Sequence, residues 1–200
     1  HPGGPFNGFL DGNDNRVMNA TMRNGTIWLA HGTALDSTGN GGTVSPDRDG
    51  VRWYQIGAPA ATPSILQSGT IYDPAVTPNP RNYTYGSVNV NGQGHAAFGF
   101  TLVGANDFAG VATDGRLLTD ASGTTQGVQA ATAGLAAYVN TFDLGNGGRP
   151  RRWGDFSNTQ VDPDDDMTFW TIQEYTEADG TWATRVAKLL PPPPATPSSV

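Results

Sequence analysis

Three times along the chain, a run in which apolar and β-branched positions alternate with polar ones is broken by a short turn and then resumed. The first is Val17–Met22, the turn Arg23-Asn24-Gly25-Thr26, and Ile27–His31; the second is Tyr85–Val90, Asn91-Gly92-Gln93-Gly94, and His95–Phe100. The third is Ser157–Val161, the acidic loop Asp162-Pro163-Asp164-Asp165-Asp166, and Met167–Ile172. A period of two bounded by Asn-Gly or Asp-Pro writes an antiparallel hairpin, because Asn and Gly accept positive φ and Pro presets a turn dihedral. The turn residues Asn24, Asn91 and Pro163 stand 67 and 72 residues apart, and an aromatic residue (Trp28, Phe98, Trp170) sits in the strand after each turn. The unit therefore repeats at roughly 70 residues.

Each hairpin is followed by a further strand-like run, Val51–Ile56, Ala109–Thr113 and Trp182–Leu189, so each unit carries three or four strands. This predicts an all-β chain of repeated antiparallel β-propeller blades, about three units at 11–75, 76–145 and 146–190, forming an incomplete ring. Blades usually run about 40 to 50 residues, so insertions are expected at Ala34–Asp49 and Asp120–Ala137, the latter holding at most one short helix near Val128–Val139. Residues 1–10 read as a flexible lead-in. Residues 191–200, opening with four prolines, read as polyproline linker.

Composition sharpens this picture in three ways. Gly (27) and Pro (15) together fill about a fifth of the 200 residues, which favours short strands and many turns. A net charge of −7 with only 11 Lys and Arg argues against nucleic acid, whose phosphates demand a basic footprint. Without cysteine there are no disulfides or thiolate metal sites, and no run of about 18 apolar residues is present to span a membrane.

The segment Arg152-Trp153-Gly154-Asp155-Phe156-Ser157, the run Val161-Asp162-Pro163-Asp164-Asp165-Asp166-Met167-Thr168-Phe169-Trp170-Thr171-Ile172-Gln173-Glu174-Tyr175, and the strands Arg23–His31 and Val51–Ile56 carry a resemblance. Together they resemble the sialidase-like β-propeller domains of large secreted bacterial proteins, over about residues 10 to 190. The resemblance implies fold and an extracellular setting. The sialidase Asp-box, Ser-x-Asp-x-Gly-x-Thr-Trp, does not occur in that form; the turn Asp162–Trp170 at most resembles a divergent analogue of it.

Candidate chemistry is sparse. Arg16 and Asp155 hold matching places just before the first strand of their units, with Arg151 and Arg152 nearby as forks for a polar ligand; paired charges tying blades together are the bland alternative. Glu174 and Tyr175 are weak candidates, with Asp155, for acid and nucleophile of a retaining glycosidase. Calcium is a candidate cofactor at Asp11, Asn13 and Asn15, where an EF-hand pattern starts but lacks its Gly and Glu, or at Asp162, Asp164 and Asp166. A remote candidate is copper held by an N-terminal His1 with His31 or His95. Of Trp28, Trp53, Trp153, Trp170 and Trp182, at least three should be core, Trp170 of the third hairpin among them, and the others free to stack on sugars.

Three blades cannot close a ring, so two apolar blade faces should need cover from other copies of the chain or from the remainder of a longer polypeptide. Two functions follow as expectations: a non-catalytic extracellular module for binding, adhesion or assembly, with glycan as a candidate partner, or a sialidase-like glycan hydrolase.

Overall fold

The computed structural model describes residues 2, 9–57, 60–139, 152–155 and 157–193. Among them no helix occurs. Eleven strands pair antiparallel throughout. They are β1 Val17–Arg23, β2 Thr26–Leu35, β3 Arg48–Gly57, β4 Ser64–Ile71, β5 Arg81–Val90, β6 Ala96–Gly104, β7 Asp107–Arg116, β8 Gln129–Thr132, β9 Asn158–Val161, β10 Phe169–Ala178 and β11 Thr181–Leu189. Each sheet is a meander in chain order: β1-β2-β3-β4, then β5-β6-β7-β8, then the three-stranded β9-β10-β11.

Local sequence explains the meanders. Asn24 (φ +50°) and Gly25 (φ +71°) both take the left-handed conformation that a two-residue primed hairpin turn demands, which sets the β1–β2 register. The acidic loop caps itself: Asp162 accepts the Asp164 amide at 3.0 Å, and Asp165 accepts the Met167 and Thr168 amides at 2.8 Å.

The three sheets stack face to face, and the middle one is covered on both sides, so β6 is buried along its whole length. Between the first and middle sheets the contact is apolar, built from Trp28, Val51, Trp53, Val88, Phe98 and Phe100 among others. Trp28 stacks on Trp53 with ring centroids 5.6 Å apart, and Trp53 meets Phe98 at 5.8 Å. Between the middle and third sheets the contact is largely polar. Ser87, Thr159, Thr171 and Gln173, all fully buried, share hydroxyl and amide bonds of 2.8–3.3 Å. Gly99 makes this closeness achievable, since a Cβ there would sit 2.1 Å from Thr171 Oγ1.

Two expectations need correction. The Val128–Val139 stretch is not helical: it forms β8 and then irregular chain, because its backbone bonds go elsewhere, Leu135 N–H to Thr176 O (2.8 Å) and Gly180 N–H to Ala137 O (3.1 Å). Trp170 is not core; it is 38 % exposed on the outer face of β10, whereas its neighbour Phe169 points inward and is 2 % exposed. Trp28, Trp53 and Trp153 are the buried tryptophans. No helix among the described residues is long and apolar enough to cross a membrane.

Candidate functional site

The first strands of the three meanders, β1, β5 and β9, lie side by side, β5 in contact with both others. Asn19 Oδ1 accepts the Val88 amide (3.2 Å), and Asn89 Nδ2 donates to Thr159 O (3.0 Å). At one end of this trio the three hairpin turns meet. Gly92 N–H donates to Asp166 O at 3.3 Å, Asn91 Nδ2 to Met167 O at 3.2 Å, and the Arg23 guanidinium reaches across to pair with Asp166. The Cβ that Gly92 lacks would fall 2.1 Å from the Asp166 carboxylate, so glycine leaves room for that pair.

At the opposite end, the segments leading into β1 and β9 converge on a bulge in β5. The register of β5 against β6 shifts between Thr84 and Ser87, and Tyr85 stands there with φ +56°, an uncommon conformation for an aromatic residue. Its hydroxyl donates to Asp11 O at 2.8 Å, and its carbonyl accepts from the Ser157 hydroxyl. Tyr85 thereby ties both leading segments together. Burial, together with the negative charges of Asp11, Asp155 and Glu174, raises its phenol far above the usual range.

Beside this knot lies a cavity of about 360 Å³ lined by Asp11, Asn13, Arg16, Met18, Arg152 and Asp155. The structure thus brings Arg16, Arg152 and Asp155 together with Asp11 and Asn13 of the partial calcium pattern. Arg16 grips Asp14 through two bonds of 2.7 and 2.6 Å, a fork that holds the Asp14 carboxyl down at about 2. Arg152 pairs with Asp155 at 2.7 Å. Arg151 lies outside the described residues. The wall offers carboxylates, guanidinium groups and an amide in near balance, a surface suited to hydroxyl groups that both donate and accept.

Glu174 and Tyr175 are not brought together, because adjacent residues of a strand point to opposite faces. Tyr175 faces inward with Gln173 and stacks under Arg185 (5.6 Å), while Glu174 lies against Gly154. Burial first and the nearby Asp155 second raise the Glu174 carboxyl.

The calcium candidates are occupied locally. Asp11 accepts the Asn13 amide (2.9 Å); in the acidic loop Asp162 accepts the Trp170 indole N–H (2.9 Å) and Asp166 takes Arg23. Among the described residues no three His, Cys, Asp or Glu side chains gather closely enough to hold a metal ion. His31 and His95 bond the Gly32 carbonyl (2.7 Å) and the Leu118 amide (3.0 Å) respectively, and His1 lies outside the described residues.

Sequence reasoning missed Tyr85 and Asp49. Tyr85-Gly86 inside a strand pattern is a bulge signal. Asp49 had none: it lines a neighbouring cavity of about 410 Å³, where burial raises its carboxyl and no hydrogen bond to that carboxylate comes from the described residues. Compared with protein families, curated proteins and solved structures, the chain matches none.

Proposed function

We propose that this chain is a set of β-propeller blades from a secreted, extracellular protein, acting as a non-catalytic module for binding and assembly. The observation that carries the reading is the side-by-side packing of β1, β5 and β9, with inter-sheet bonds joining residues 68 to 76 apart. Sheets repeated about a common line of first strands are the geometry of neighbouring blades. The cavity of Arg16, Arg152, Asp155 and Asp11 then lies where the first strands begin, and its balanced charge suits a glycan hydroxyl pattern.

The outer faces support assembly. Cross-strand pairing places Met22, Ile27, Ile56 and Ile65 in one row on the first sheet, and Trp170, Ile172 and Val186 together on the third. Met22, Ile65, Trp170, Ile172 and Val186 are exposed large apolar side chains, an arrangement that calls for cover.

One observation favours a hydrolase instead: Glu174, with its raised carboxyl, stands near Asp155, as an acid beside a second carboxylate. The test is a glycan-binding screen run beside a hydrolysis assay on fluorogenic glycosides. The module reading expects glycan retention that falls in Arg16→Ala and Arg152→Ala, with no turnover. Turnover lost in Glu174→Gln would replace it by the hydrolase.

A further inference from the structure

Among the described residues the first two sheets have four strands each, whereas the third stops at β11, which there pairs with β10 alone. β11 is nine residues long, contains no proline, and lies exposed or half-exposed from end to end. Its outer edge is a row of backbone groups with no strand partner among the described residues, and the chain turns next into Pro191-Pro192-Pro193, which cannot fold back to supply ladder donors.

A groove of about 530 Å³ opens between the end of β11 and the β7–β8 side of the middle sheet, the side on which a fourth strand would be added. Phe169, Leu189 and Ala97 give it an apolar wall, with Lys188 at its rim, while the Arg116 guanidinium is spent on Gln67 and the Leu117 and Asp120 carbonyls. The one carboxylate lining it, Asp114, is taken up by Thr125 Oγ1 (2.7 Å) and the Gly115 and Gly127 amides (2.7 and 2.9 Å). β11 itself carries Arg185 and Lys188 and no acidic residue.

We propose that β11 is an acceptor edge for a fourth strand: an extended, mostly apolar segment with two acidic residues three apart, one on each face as Arg185 and Lys188 are on β11, supplied by another polypeptide. Main-chain pairing along β11 would give affinity, the groove would take apolar side chains, and acids would sit opposite Arg185 and Lys188. The same two cations disfavour pairing of β11 with β11 of a second copy, since like charges opposite each other destabilise a ladder. The inference rests on strand count, groove and charge, and stands apart from the propeller reading.

The probe is a synthetic nonapeptide, Thr-Val-Glu-Val-Thr-Glu-Val-Thr-Val, whose two Glu are three apart and so on opposite faces, with a control in which both Glu are Lys. Amide hydrogen exchange of the intact chain is followed with each peptide. The expected result is at least about tenfold slower exchange at alternate β11 amides with the acidic peptide, no change along β4, and weaker protection with the Lys peptide. The double variant Arg185→Glu/Lys188→Glu, with circular dichroism unchanged, should lose the acidic peptide and gain the Lys peptide. Absence of protection at β11, equal protection along β4, or unaltered preference in the double variant overturns the proposal.

Discussion

Trp53 and Trp170 are both strand tryptophans, and the fold treats them in opposite ways. Trp53 is fully buried between Trp28 and Phe98, so Trp53→Ala should cost about 3–5 kcal/mol, read as a shift in urea midpoint. Trp170 keeps an Asp162 bond and a Lys188 ammonium 5.4 Å over its ring, yet faces outward, so Trp170→Ala should cost about 1 kcal/mol or less. A loss for Trp170→Ala as large as that of Trp53→Ala would show that β10 is turned the other way. Asp114 offers a test by pH. Burial raises its folded value above the ordinary carboxylate range despite three donors, so its contribution is fully present below the unfolded value and lost as pH rises through the folded one. Asparagine keeps one oxygen for the Gly115 and Gly127 amides and turns its NH2 to donate to Thr125 Oγ1, without the charge. The stability of Asp114→Asn relative to wild type should therefore grow between about pH 3.5 and pH 7, and a flat difference would contradict the burial argument.

Among the elements, the contrast between the two sheet interfaces matters most. The apolar one tolerates small volume-conserving changes, but the polar one depends on each hydroxyl finding its partner. Thr171→Val removes the oxygen that both Thr159 and Gln173 donate to, and should cost about 1–3 kcal/mol although the shape is kept. An unchanged melting temperature would mean that the network contributes nothing. The strands themselves were legible in the sequence because period-two patterns and turn residues are local. β4 carries no such signal: Ser64-Ile-Leu-Gln-Ser-Gly-Thr-Ile71 alternates poorly and meets a register shift at Ile56 in its partner strand. The 128–139 stretch misled because Ala-rich composition favours helix, while Gly134, where a Cβ would fall 2.4 Å from Ala109 O, is held by contact with β7. Of the site, Arg16 and Asp155 could be placed together from their matching repeat positions. The knot at Tyr85 could not, because a bulge that joins residues 72 and 74 apart is a tertiary fact.

For the whole molecule, the stack has an inside and two outsides. The middle sheet is satisfied on both faces, while the first and third each keep one apolar face, Met22-Ile27-Ile56-Ile65 and Trp170-Ile172-Val186, at opposite ends of the stack. Unlike faces that cover each other generate either a closed ring or a running filament, according to the angle between successive units. Changing a residue on such a face should alter association more than folding; Met22→Lys with Ile65→Lys should leave the melt cooperative while dispersing the assembly. The most direct measurement is the molar mass of the wild-type chain by light scattering. Association through the two outer faces predicts twice the 21.0 kDa of one chain or more, falling to a single chain in the double lysine variant. A monodisperse 21.0 kDa species that melts cooperatively would contradict it, and would make the three sheets a self-sufficient sandwich.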